Sequence, residues 1–355
     1  MPTPKAIPSL KQRIIEEISQ NGPMPLSRYM NLCLGDPHEG YYMTRDPFGM
    51  AGDFTTAPEV SQMFGELIGI WAIEAWKAIG APTKTRLVEF GPGRGTLMAD
   101  CLRSLSLEPK LISGLEVQMI EMSPTLVAAQ QKRLVDAPCP VSWHGTLPDC
   151  SLPTLMIANE FFDALPVHIL TKTETGYAQR HITAQDDDTL VFADIPASLP
   201  TGFPEPDHIQ TGTVFELSPE RYQYAQTMAA TLKANTGAAL IIDYGFEQPK
   251  TGATFQALQA HQPVDPLENP GSADLTSLVD FTSVRHAFTD HQITLSPTTT
   301  QMDFLLNLGL LERAGVLGST ANEAGQIELQ AAVNRLVSPD EMGTLFKVIS
   351  ASTSQ

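Results

Sequence analysis

Residues 85–96 read TRLVEFGPGRGT, and this stretch decides the fold. The run from Arg86 to Phe90 is short and apolar, as a buried strand requires. Gly91, Pro92, Gly93, Arg94 and Gly95 form a turn, and Thr96 opens a segment with Leu97, Cys101, Leu102 and Leu105 on one helical face. Strand, glycine turn and helix in that order make the first half of a βαβ unit. C-terminal to it, a second strand is expected at about residues 114–121, and Ser123-Pro124 suits the N-cap and first position of another helix. Apolar runs at 141–144, 154–158 and 238–243 continue the alternation, which predicts a mostly parallel sheet covered by helices. The closing run GTLFKVIS (343–350) reads as a final edge strand.

N-terminal to the strand, Leu10, Ile14, Ile15 and Ile18 have helical spacing until Asn21-Gly22-Pro23 ends the run, and a short helix is expected over roughly 26–34. A glycine- and aromatic-rich loop follows at 35–59, and Pro58 suits the start of a helix running to Gly80. The expected organisation is an N-terminal helical region with a lid-like loop (1–80) and an α/β domain (81–355). That domain carries insertions at about 171–215, which read as antiparallel strands, and at 250–283.

Composition narrows the function. Hydrophobic residues are 42% and charged residues 17%, the balance of an ordinary globular protein. The four cysteines form no CxxC pair and have no histidine at ligand spacing, so neither a disulfide framework nor a metal site is expected. His144, His168 and His261 are isolated. A net charge of −18 argues against nucleic acid as partner. Residues 60–79 are interrupted by Glu66, Glu74 and Lys77, so no transmembrane segment is expected. The first twenty residues lack a signal or transit pattern, from which a cytoplasmic, bacterial setting is expected.

The chemistry concentrates at strand ends. Glycines at 91, 93 and 95 let backbone approach a ligand closely, at the carboxyl end of the first strand. A carboxylate at Glu89 would repel a pyrophosphate but suits the ammonium of a methionine moiety, which favours S-adenosylmethionine over a nicotinamide dinucleotide. Glu121, ending the second strand, is placed to accept ribose hydroxyls; it is otherwise a solvated charge. Asn159, Glu160 and Asp163 follow the fourth strand. They can hold a cationic nitrogen in the same crevice or simply start a helix, with Asn159 as its cap.

Six ordered blocks then bear a family resemblance: GDFTTAPEVSQMFGELIG (52–69), LVEFGPGRGTLMADCLR (87–103), IEMSPTL (120–126), IANEFFDALPV (157–167), LIIDYGF (240–246) and ADLTSLVDF (273–281). Together they resemble the MidA family, the mitochondrial complex I assembly-factor arginine methyltransferases and their bacterial relatives. The resemblance spans about residues 10–315. It implies an α/β, Rossmann-like, seven-stranded methyltransferase fold, S-adenosylmethionine as cofactor, and arginine methylation of a protein substrate, a complex I subunit or its bacterial counterpart. By that match Glu89, Gly91, Pro92, Gly93, Gly95 and Glu121 hold the cofactor, while Asn159, Glu160 and Asp163 lie beside the transferred methyl. Asp53, Thr55, Thr56 and Glu59 form a lid, with Glu59 a second candidate for the catalytic carboxylate pair. The alternatives are a non-catalytic cofactor-binding assembly chaperone and a methyltransferase of small molecules.

Overall fold

The structure is a computed structural model that describes residues 7–44, 56–201, 203, 209–248 and 250–353. The chain divides into two compact units that interleave along the sequence: Met1–Pro47, Ala164–Arg221 and Pro249–Ser277 in one, Phe48–Asp163, Tyr222–Gln248 and Leu278–Gln355 in the other.

The larger unit is built on a sheet whose main strands are β1 (Thr85–Phe90), β2 (Leu115–Ile120), β3 (Val141–His144), β4 (Thr154–Asn159), β5 (Gly237–Phe246), β6 (Thr294–Leu295) and β7 (Phe346–Ser352). Their order across the sheet is β6-β7-β5-β4-β1-β2-β3. β1 pairs in parallel with β2 and β4, β4 with β5, and β2 with β3, whereas β7 runs antiparallel to β5. β1 and β4 are buried at every position, as strands covered on both faces must be. The sheet order reverses at β1 and β4, so their carboxyl ends open the crevice where such sheets bind ligands. The chain's last strand differs from expectation. β7 is not at the edge, because its partners Thr294–Leu295 and Thr299–Thr300 cover its outer side, and those two-residue strands are too short to show periodicity.

The helices of this unit begin as their sequences dictate. Gly95, at φ 76°, precedes α1 (Thr96–Leu105), and the Ser123 hydroxyl accepts from Leu126 N at the start of α2 (Pro124–Arg133). The helix expected from Pro58 to Gly80 is broken. A turn at Ala57–Val60 ends at Ser61, which is extended and caps a new helix, Gln62–Ala78, by accepting from Met63 N. That helix buries Phe64, Leu67, Ile68, Ala72 and Trp76, and places Gly65 and Gly69 against the Leu97–Ser104 stretch of α1.

In the smaller unit, the helix Leu10–Asn21 starts at a Ser9–Gln12 capping box and buries Leu10, Ile14 and Ile18. The polar segment after residue 167 forms antiparallel strands at His168–Thr173, Gly176–Ala184, Leu190–Ala197 and Val214–Leu217, a sheet separate from the main one. Residues 256–276 make a further three-stranded sheet. Among the described residues no helix is long and apolar enough to cross a membrane.

Candidate active site

The site lies at the carboxyl ends of β1, β2, β4 and β5, within the larger unit. The turn after β1 has Gly91, Gly93 and Gly95 at φ 58°, 53° and 76°, all in the left-handed region that side chains disfavour. At Gly91 there is also no room: a Cβ would come within 2.9 Å of the Phe161 ring. The turn is held by Gln130, fully buried on α2, whose amide donates to the Gly93 carbonyl (2.7 Å) and to Glu121 (3.2 Å) while its oxygen accepts from the Trp143 indole (2.9 Å).

Glu89 is 3% exposed, and its Oε2 has no hydrogen-bond partner among the described residues. Burial, and secondarily the nearby charge of Glu121, pushes its carboxyl well above the usual range. A buried acid without a counter-charge is costly, so this position favours a cation placed against it. Glu121 is raised by burial too, partly offset by donation from the Ser123 and Met122 amides, both at 2.8 Å to Oε1. An orphaned carboxylate oxygen beside three left-handed glycines fits the methionine end of S-adenosylmethionine.

Across the turn, Glu160 leaves β4 with φ 49°, a strained value for a residue with a side chain. Its backbone N–H donates to Ile242 O (2.9 Å), and its Oε1 accepts from Ala57 N (2.9 Å) and the Asn159 amide (3.2 Å). Dense surroundings push its carboxyl up to about 7, with the charge of Asp163 adding to burial and the Ala57 and Asn159 donors opposing it. Asp243, in the carboxyl half of β5, accepts from the Phe162 and Asp163 amides at 2.9 and 3.2 Å and so fixes the bend that aims Glu160.

Most residues expected from the sequence come together. Thr56, Glu59, Glu89, Gly91, Pro92, Gly93, Asn159 and Glu160 line one pocket. Gly95 caps α1 just beyond it, Glu121 reaches the turn through Gln130, and Asp163 lies behind Glu160, 7% exposed. Glu59 is spoken for: it accepts from Thr96 Oγ1 (2.5 Å) and pairs with Arg94 (3.8 Å), latching the Ala57–Val60 turn to the glycine turn. Asp53 and Thr55 lie outside the described residues. Gln130 and Asp243 were not anticipated as site residues. The signal for Gln130 was a polar residue four positions after Leu126, on the helix's buried face; for Asp243 it was the acid ending an apolar run.

The strand order, the glycine turn and the acids around it define an S-adenosylmethionine-dependent methyltransferase. Residues 67–298 match the family described as "Putative S-adenosyl-L-methionine-dependent methyltransferase", and the chain belongs to it, in the branch of the protein arginine methyltransferases NDUFAF7. It is 37% identical to the mitochondrial NDUFAF7 of Xenopus tropicalis over 96% of this chain and 85% of that one. To the human mitochondrial protein it is 33% identical over 97% and 83%. A Burkholderia thailandensis structure bound to S-adenosyl-homocysteine is 28% identical, superposes with a TM-score of 0.83, and shares 97% of this chain and 92% of its own. One expectation is corrected by these matches. The cytoplasmic, bacterial setting does not stand, since the curated relatives are mitochondrial proteins; the composition of twenty N-terminal residues was too little to decide it.

Proposed function

We propose that this enzyme methylates a guanidinium nitrogen of arginine in a protein substrate, and that the substrate is a subunit of respiratory complex I or its counterpart. The observation that carries the reading is Glu160, whose carboxyl sits on a strained backbone bend beside the glycine turn and is raised to about 7 by burial. The names of the curated relatives support arginine as acceptor, and the family resemblance of the six sequence blocks supports the complex I subunit.

The residues divide the work. Glu89, the Gly91–Gly95 turn and Glu121 would hold the cofactor, which when bound supplies an already activated sulfonium methyl. The acceptor needs only in-line placement and exclusion of water. Guanidinium is cationic and weakly nucleophilic. Glu160 pairs with it, concentrates electron density on one nitrogen, and takes the proton that nitrogen releases as the N–CH3 bond forms and the methyl's bond to sulfur breaks, with S-adenosylhomocysteine leaving as the neutral thioether. Asp163 reinforces the negative field behind Glu160, and Asn159 fixes its orientation. The Ala57–Val60 turn closes the crevice through Glu59.

The test is transfer of radiolabelled methyl from S-adenosylmethionine into a lysate lacking the enzyme, with Glu160→Gln as control. Label recovered as methylarginine in one protein, and lost with Glu160→Gln although the cofactor still binds, is expected. Full transfer by Glu160→Gln, or label only in small molecules, would sink the proposal.

A further inference from the structure

At the opposite end of β1 from the glycine turn lies a feature that methyl transfer does not use. Arg86 is fully buried, the bulkiest of the fully buried side chains in the larger unit. Its Nε donates to Thr154 Oγ1 (3.1 Å), and its Nη1 to Pro148 O (2.8 Å) and Gln118 Oε1 (3.2 Å). Every one of these partners is neutral. Nη2 is shielded from water and has no hydrogen-bond partner among the described residues. No described acid lies in ion-pair contact with the guanidinium, although Cys150, Glu116 and Asp149, in that order, are near enough to be felt electrostatically. Burying a charge without a counter-charge is strongly unfavourable. Guanidinium cannot escape that cost by shedding its proton at neutral pH.

Arg86 also lines a groove of about 720 Å³. The other walls are the coil containing Pro148, Asp149 and Cys150, and the helix face bearing Thr231, Ala234 and Asn235. The groove therefore adjoins the residue whose Nη2 lacks a partner. The charge of a ligand there is set by Arg86, whose planar fork matches a carboxylate or phosphate oxygen. Its magnitude is set by Asp149 on the rim and by the chain's net charge of −18, both of which penalise a dianion. The Thr231 hydroxyl is committed to Thr227 O (2.8 Å) and the Asn235 amide to Cys150 O (2.6 Å).

We propose that this groove is a second binding site, for a small monocarboxylate anchored on Nη2 of Arg86. The coil that closes over the guanidinium, tied to it through Pro148 O, is the element that shifts to admit the ligand. The site is separate from the methyl-transfer crevice, and the proposal does not depend on the reaction assigned there.

Acetate is the probe, titrated into protein saturated with S-adenosylhomocysteine, with chloride held to constant ionic strength and thermal unfolding as the readout. A saturable rise in melting temperature with acetate is expected, matched at no concentration of chloride alone. Ala234→Trp fills the groove from an exposed position of the wall without touching the guanidinium; it is expected to weaken half-saturation at least tenfold and leave methyl transfer unchanged. Arg86→Lys, if it folds, loses the saturable rise. A rise that does not saturate, one equal in Ala234→Trp, or tighter saturation by inorganic phosphate than by acetate would each overturn the assignment.

Discussion

The residue with most at stake is Glu160, because its backbone and its side chain are both held away from their preferred states. A non-glycine φ of 49° costs on the order of 1–2 kcal/mol, and the bend persists because Asp243 accepts two amides from the segment that follows. The raised carboxyl has two consequences of opposite sense. For stability, a proton bound more tightly in the folded state favours folding fully below the ordinary carboxyl range, and this contribution is lost as pH rises through about 7. In the role proposed for it Glu160 must be ionised to take the proton, so kcat/KM for an arginine peptide is expected to rise with pH through an apparent midpoint near 7. Well below the midpoint it should fall about tenfold per pH unit. A pH–rate profile checks this, and a profile flat between pH 5.5 and 8 (about the span over which a group near 7 titrates) would dissociate Glu160 from the reaction. At this scale the sequence was partly legible. Carboxylates at strand ends are visible as letters, and Glu89, Glu121 and Glu160 are expected at the site on that ground. Gln130 is not, because its position four residues after Leu126 places it on the buried face without telling a buried amide that staples a turn from one tolerated at that face's margin. Gln130→Leu keeps the volume but abandons the Gly93 carbonyl, Glu121 and the Trp143 indole. Cofactor affinity should drop about tenfold, equivalent to roughly one lost buried hydrogen bond, measurable by calorimetric titration with S-adenosylhomocysteine.

At the level of elements, the glycine turn is legible in the sequence because its neighbours are as well. β1, the turn and α1 are specified locally: an apolar run, three glycines with φ between 53° and 76°, and an amphipathic helix. Such local rules survive folding unchanged, as do the Ser9 and Ser123 caps. The two misread elements depended on partners instead. Ser61 breaks the helix after Pro58 because its hydroxyl caps Met63 N, a choice made available by the latch of Glu59 to Thr96 and Arg94. β7 was legible as a strand, but its interior position depends on two-residue partners no pattern reveals. The turn itself supports a sharp test. Gly91→Ala puts a methyl group 2.9 Å from the Phe161 ring at a backbone angle L-residues avoid. The fold should lose about 1–2 kcal/mol from the left-handed conformation alone, seen as a lower denaturation midpoint. Cofactor binding should weaken more than stability does, because Phe161 adjoins Glu160. Equal binding by the variant would mean that the turn tolerates a side chain and does not need close approach to a ligand.

For the whole chain, the division into two interleaved units was the least legible feature. It depends on which distant segments bury one another, and hydrophobic periodicity reports only that a face is buried. The larger unit shows the same dependence in Glu66. In the sequence it is merely a charge interrupting an apolar helix; in the structure it is 5% exposed and accepts from Arg103 on α1 (3.0 Å) and from Arg313 (2.7 and 3.0 Å). Arg313 is 247 residues away in sequence, so the contact ties the helix Leu310–Gly318 to the helix Gln62–Ala78 that covers the sheet. Burial alone would raise this carboxyl, but hydrogen bonds from Arg313 and then Arg103 outweigh it and hold it below its ordinary value. The sign is therefore the reverse of that at Glu160: the contribution is present above the ordinary carboxyl pKa and is lost as pH falls through the depressed one. Both arginines keep much of their solvent contact, so the loss in Glu66→Gln is set at about 1–2 kcal/mol, below the figure for a fully buried pair. Thermal unfolding near neutral pH should show the variant melting a few degrees lower. The gap should narrow in acid, where the native carboxyl protonates and wild type comes to resemble the amide. A gap that stays constant down to pH values well below the ordinary carboxyl range would mean that Glu66 acts by shape and that its charge holds nothing together.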